Sequence, residues 1–239
     1  MALIPALYRW SAASRIANAR ALDGVYLAAF FAYKRLVEDP FAALVRRHPA
    51  LFAGGDILDV GANAGYTASV FARAVSPGFH VRAFEPEPVN FRRLQRVAKK
   101  FDGVIVPQQV AVGASDGTVT IAVNPHHPGD HRVAPHGELT VPMIALDRFE
   151  RAAFVKLDVQ GYELEVSRGM ERLLRGAFIS VAFEFAPREL ADPEALLDFY
   201  RKRNFTLRMI ARDGELVAID EKRIVSRGYV DLLATKEPA

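Results

Sequence analysis

From Asp56 onward, short apolar runs alternate with amphipathic stretches, the pattern of a parallel sheet flanked by helices. Asp56–Val60 reads as a buried strand and Tyr66–Val75 as a helix with Val70, Phe71 and Ala74 inward. His80–Phe84 is a second strand. Pro88–Phe101 follows as a helix, with Phe91, Leu94, Val97 and Ala98 on one face and basic residues on the other. Val104–Val112 reads as one continuous third strand. After the turn signal Ala114-Ser115-Asp116-Gly117, Thr118–Val123 alternates like an antiparallel strand. Leu139–Leu146, Phe154–Val159 and Phe178–Phe185 are further strands, and helices are predicted over Tyr162–Leu174 and Pro193–Arg203. Phe205–Ile210, Leu216–Ile219 and Tyr229–Thr235 close the sheet. The expectation is one α/β domain over residues 51–239.

Before Asp56 the period changes. Ala13–Glu38 reads as helical, with Ile16, Leu22, Val25, Ala29, Ala32 and Leu36 at loose helical spacing, and Phe41–Arg47 adds a short helix after Pro40. Residues 1–50 are therefore expected to form a helical cap on the main domain. A sharper reading makes them a membrane-surface or substrate-gating element, with Arg15, Arg20, Lys34 and Arg35 facing anionic groups. The longest apolar run, Val25–Tyr33, has nine residues, against the roughly 20 needed to span a bilayer. No membrane span and no secretory leader are expected, and the reading is a cytoplasmic protein. The apolar N-terminal helix is compatible with a homodimer.

Charge and composition narrow the partners. The formal charge is +3, but residues 1–50 carry +4 and residues 51–239 carry −1, so the main domain lacks the basic footprint of a nucleic-acid binder. The absence of cysteine excludes disulfides, thiolate metal sites and a cysteine nucleophile together. Asn124–Glu138 breaks the pattern with three prolines, two glycines and four histidines in fifteen residues. Irregular segments of this length in a compact domain usually carry function.

Chemistry concentrates at the strand ends. The first strand runs into Asp59-Val60-Gly61-Ala62-Asn63-Ala64-Gly65-Tyr66-Thr67, a glycine turn leading into a helix N-terminus that favours negative charge. A dinucleotide turn would read G-x-G-x-x-G. Here Asn63 replaces the middle glycine, and Asp59 stands two residues before the first. That carboxylate can accept from an ammonium group, which S-adenosylmethionine has and nicotinamide cofactors lack. Glu85, ending the second strand twenty residues beyond Gly65, suits the two hydroxyls of an adenosine ribose.

These segments, followed by Ala111-Val112-Gly113 with Asp116-Gly117 and by Lys156-Leu157-Asp158-Val159-Gln160-Gly161-Tyr162-Glu163, resemble the FkbM family of S-adenosylmethionine-dependent methyltransferases. The resemblance covers roughly residues 55–190. It implies a class I methyltransferase fold, a Rossmann-like doubly wound sheet, and O-methylation of a hydroxyl on a small molecule, natural product or glycan. Carried over, it puts Asp59, Gly61, Asn63, Gly65 and Tyr66 at the methionine and ribose end of S-adenosylmethionine. Glu85 and Pro86 fall at the ribose, and Gln109, Ala111 and Val112 beside the adenine. Gln160 stands where the family often has glutamate, which removes one candidate carboxylate.

An alcohol acceptor must lose a proton during methyl transfer. Asp158, at a strand end, and His131, in the irregular loop, are the candidate catalytic residues. Glu184, Tyr162 and His127 are candidate acceptor contacts. Glu163 and Glu165 are expected in the first turn of the following helix, favouring its dipole. A divalent ion held by Asp158, Glu184 and a loop histidine is a less favoured alternative, because no spaced ligand motif supports it. Three other readings carry less. They are a non-catalytic cofactor-binding scaffold, a nucleic-acid methyltransferase and a nicotinamide-dependent oxidoreductase.

Overall fold

The computed structural model describes residues 23–124, 129–176, 178–220, 224 and 228–236. Its centre is an eight-stranded sheet. The strands are β1 (Asp56–Val60), β2 (Val81–Phe84), β3 (Ile105–Gln108), β8 (Ala152–Leu157), β9 (Ser180–Phe185), β10 (Thr206–Ile210), β11 (Leu216–Val217) and β12 (Val230–Thr235). Their order is β11-β10-β12-β9-β8-β1-β2-β3. β9, β8, β1, β2 and β3 run parallel, whereas β12, β10 and β11 are added antiparallel at one edge. This is the mixed central sheet of the class I methyltransferase fold. Strands covered on both faces read as unbroken apolar runs, and every residue of β1 is buried. Leu58, Val155 and Phe183 face one core layer, and Ile57, Phe154 and Ala182 the other.

The continuous third strand expected over Val104–Val112 is two strands. β3 ends at Gln108, and β4 (Ala111–Val112) belongs to a second sheet. That sheet is completed by β5 (Gly117–Ala122), β6 (Arg132–Val133) and β7 (Leu139–Ile144), in the order β4-β7-β5-β6. The half-buried alternation of Thr118–Val123 marked an antiparallel pair, but nothing local distinguished a separate sheet from an edge of the first.

The helices are shorter than their periodicity implies. α1 is Asp23–Tyr33 and α2 Phe41–Arg47, with a π-helical turn at Lys34–Glu38 between them. α3 (Tyr66–Phe71) follows β1, α4 (Pro88–Ala98) follows β2, α5 (Glu163–Arg168) follows β8 and α6 (Pro193–Arg201) follows β9. Glu87 starts α4 by accepting from the N–H groups of Val89 and Asn90 at 2.9 and 2.7 Å, with Pro88 in the first turn.

The face expected to pack on α1 is corrected. Val25 and Leu36 are exposed, and the buried side chains are Asp23, Tyr26, Leu27 and Phe30. Ile16, Leu22, Arg15 and Arg20 lie outside the described residues. What seats α1 is a buried ion pair that apolar periodicity does not register. Asp23 Oδ1 accepts from Arg93 Nε at 3.0 Å and Asp23 Oδ2 from Arg92 Nε at 3.2 Å. Arg93 is only 1% exposed, and its guanidinium lies 3.7 Å from the Tyr26 ring centroid. Phe31 packs edge-on against Tyr66. Among the described residues no helix is long and apolar enough to cross a membrane.

Candidate active site

A cavity of about 430 Å³ opens along the carboxyl ends of β1, β2, β8 and β9, where doubly wound sheets hold ligands. One end is shaped by the turn after β1. Gly61 and Gly65 have φ of 76° and 87°, and Asn63 has φ of 48°. A Cβ on Gly61 would fall 1.9 Å from the carbonyl oxygen of Asp158, so the turns after β1 and β8 meet with no room for a side chain. Gly61 and Ala62 N–H donate to Phe84 O, and Asp158 N–H donates to Val60 O, which ties the three strand ends together.

Glu85 lies at this end, buried. Its Oε2 accepts from Asn63 N at 2.8 Å and its Oε1 from Glu87 N at 2.9 Å. Each oxygen keeps a lone pair for one further donor, which is the requirement for a pair of ribose hydroxyls. Burial pushes its pKa up to about 8 despite those two bonds. Val60, Pro86, Val110, Ala111 and Val112 give the adjoining wall an apolar surface fit for a base. Gln109 does not join them: it is exposed in the break between β3 and β4 and is not part of the lining. Gly65 serves the packing of α3 on α4, where its Cβ would meet Leu94 at 2.9 Å.

Two expectations at this end change. Asp59 is completely enclosed and absent from the lining, because β1 is buried on both faces. Neither of its oxygens has a hydrogen-bond partner among the described residues. Burial, partly offset by Lys156, raises its pKa to about 6. Tyr66 lines the cavity, but its hydroxyl donates to Asp39 Oδ2 at 3.2 Å and anchors the N-terminal segment. Asp39 in turn accepts from Phe41 and Ala42 N–H at the start of α2.

At the other end carboxylates gather. Asp158 Oδ2 accepts from Lys156 Nζ at 3.0 Å and Oδ1 from Gln160 Nε2 at 2.9 Å. Burial acts to raise the Asp158 pKa, but Lys156, Lys34 and the bond from Gln160 outweigh it and hold the carboxyl below its usual range. Glu184 lies 3.5 Å from Gln160 Nε2. Burial, with Asp158, Asp231 and Glu163 nearby, pushes its pKa up to about 9. Gln160 therefore presents an amide donor between two carboxyl groups, where a glutamate would add a third carboxyl group.

Glu163 does more than favour a dipole. It is buried and accepts from Val159 N at 3.0 Å and Gly161 N at 3.1 Å, folding the turn that carries Asp158 and Gln160.

Of the loop histidines, His131 lines the cavity, and its Nδ1 accepts from Asn124 N at 3.1 Å. In that arrangement the neutral ring carries its hydrogen on Nε2. His126 and His127 lie outside the described residues. Asp158, Glu184 and His131 share the cavity, yet among the described residues no three His, Asp or Glu side chains are grouped so as to hold a metal.

Several lining residues were not anticipated. Phe30, Tyr33 and Lys34 reach the cavity from α1 and the π-helical turn, and Arg132 does so from β6, held by Asp130 and Glu189. Lys156 lines it from β8. A lone lysine in an otherwise apolar strand was the available signal for Lys156. The sequence marked Lys34 only as a cation facing anionic groups, and nothing local marked Phe30, Tyr33 or Arg132.

The parallel strands with antiparallel β12 inserted between β9 and β10, and the cavity across their carboxyl ends, define a class I methyltransferase fold. The methyltransferase FkbM domain profile matches residues 59–207, and the chain belongs to this family. The chain is 33% identical over 128 residues to the hexuronic acid methyltransferase AglP of Haloferax volcanii. That match spans 50% of this chain and 52% of the relative. A methyltransferase FkbM of solved structure, from Methylobacillus flagellatus, superposes with a TM-score of 0.55 at 18% identity, covering 97% of this chain and 58% of that one.

Proposed function

We propose that this chain is an S-adenosylmethionine-dependent O-methyltransferase acting on a hydroxyl of a sugar-type or other small acceptor. The observation that carries the reading is Glu85, a buried carboxylate with one free lone pair per oxygen, in a cavity whose far end holds Asp158. When bound, the cofactor supplies a methyl group on a sulfonium, and the acceptor oxygen that receives it then has a proton to lose. Glu85 would hold the ribose hydroxyls, and Pro86, Val110, Ala111 and Val112 the base.

The Asp158–Glu184 pair divides the remaining work. Environments that push two carboxyl pKa values apart separate base from acid. Asp158, held ionised by Lys156 and Gln160, accepts the hydroxyl proton, while Glu184 is protonated at neutral pH and donates a hydrogen bond. Tyr33 and Tyr162 line the cavity with aromatic rings that suit the apolar face of a sugar. The relative named for a hexuronic acid makes uronic acid glycosides the first acceptors to try.

Calorimetric titration with S-adenosylhomocysteine, on wild type and Glu85→Ala, tests the cofactor half. Micromolar binding lost in the variant is expected; a folded wild type that does not bind would overturn the reading. Mass spectrometry of a uronic acid and neutral glycoside panel tests the acceptor half.

A further inference from the structure

Lys156 touches both halves of the cavity. It is the one charged residue in β8, in the sequence Ala152-Ala153-Phe154-Val155-Lys156-Leu157. A buried ammonium persists only where anions compensate its lost hydration. Two anions do so from opposite sides: Asp158 Oδ2 at 3.0 Å and Asp59 Oδ1 at 3.8 Å. The Phe41 ring, 5.9 Å from Nζ, is a third neighbour, contributed by the N-terminal segment. The Lys156 side chain is 6% exposed, and Asp59 is fully enclosed behind it. Asp59 therefore faces Lys156 rather than the cavity.

We propose that Lys156 is a positioning residue, anchored from behind by Asp59, whose ammonium orients the Asp158 carboxylate at the acceptor end of the cavity. This rests on reading Asp158 as the group that receives the acceptor proton. It also gives Asp59 a different task from direct contact with the cofactor's ammonium. The charges around Asp158 are few and nameable. Lys156 lies on its own strand, Asp59 on β1, Glu85 at the end of β2, Lys34 on the π-helical turn, Glu184 on β9, Asp231 on β12 and Glu163 on α5. Lys156 is the cation in hydrogen-bond contact.

The two anions compete for one ammonium, which fixes opposite signs for two substitutions. Lys156→Met removes the partner of Asp158, so the Asp158 carboxyl should titrate higher by about one pH unit or more. Asp59→Asn leaves Lys156 to Asp158 alone and removes a nearby negative charge, so the same carboxyl should titrate lower. Lys156→Arg keeps the charge and should restore a low-titrating Asp158. The readout is carbon-13 NMR of the full chain labelled at aspartate side-chain carboxyls, with the Asp158 signal assigned by its loss in Asp158→Asn. Binding of S-adenosylhomocysteine should stay within about threefold of wild type in Lys156→Met.

An Asp158 titration unmoved in Lys156→Met, with homocysteine-product binding weakened tenfold or more, would overturn the proposal and make Lys156 a cofactor contact. If Lys156→Met fails to fold, Asp59→Asn decides alone: an Asp158 titration that rises or stays fixed sinks the idea. A wild type that binds no S-adenosylhomocysteine would count against the methyltransferase reading, while the Asp158 titration would still judge Lys156.

Discussion

At the Glu85 end of the cavity main-chain groups do the positioning, with Asn63 N and Glu87 N holding the carboxylate and Phe84 O receiving the turn after β1. At the Asp158 end side chains position one another: Lys156, Gln160 and Glu184 surround the carboxylate, and Lys34 acts on it from the N-terminal segment. Main-chain positioning tolerates change in the neighbouring residue types, since nearly every residue offers the same N–H. Side-chain positioning is lost with a single substitution. The first arrangement suits a ligand that stays constant, and the second an acceptor that differs from one relative to the next.

That contrast can be broken experimentally. Asp158→Asn should cut turnover of any methylated glycoside about 10²–10⁴-fold, the usual contribution of a positioned proton acceptor. Binding of S-adenosylhomocysteine should hardly change, and equal losses in both would erase the distinction between the two ends. Asp23→Ala comes next. It removes the carboxylate that Arg92 and Arg93 share in the core, so urea denaturation should show a loss of about 3–5 kcal/mol.

Glu85→Gln replaces a charged acceptor. Binding of S-adenosylhomocysteine should weaken by about 1.5–3 kcal/mol in calorimetry, with turnover at saturating cofactor preserved. The smallest effect is the pH dependence of that binding. Ribose hydroxyls favour the Glu85 carboxylate over its acid, so binding should tighten as pH rises toward about 8 and release a proton below it. Titrations in buffers of different ionisation enthalpy would reveal the proton, and Glu85→Gln should abolish it. The stability sign is opposite. Because burial raises the folded-state pKa of Glu85, its contribution to folding is complete below the ordinary carboxylate range and is lost as pH climbs through 8.

The Glu85 end was legible in the sequence because Gly61, Asn63 and Glu85 follow consecutive strands close together in the chain. Strand periodicity and the glycine turn located Gly61, Asn63 and Glu85 without knowledge of the rest. Asp59 was misjudged because a strand end points toward the ligand only if its own side chain faces that way, and β1 encloses Asp59 completely. Gln109 was misjudged because the third strand breaks, which apolar runs alone do not show. The Asp158 end was partly legible: Asp158, Glu184 and Tyr162 lie on strand ends or in the quoted motif. Phe30, Tyr33 and Lys34 reach the cavity because an ion pair between Asp23 and Arg93, separated by 70 residues, seats their helix. A contact of that kind leaves no periodic trace.

The Asp23 latch also has a bearing on protein engineering. The segment 23–38 supplies part of the cavity wall, precedes the family-matched region at 59–207, and is fastened to α4 by Asp23, Arg92 and Arg93. A foreign helix that keeps an aspartate at position 23 and an aromatic ring over Arg93 could be grafted in its place. The residues at 30, 33 and 34 would then be free to vary in a library selected for new acceptors, with the cofactor cradle untouched.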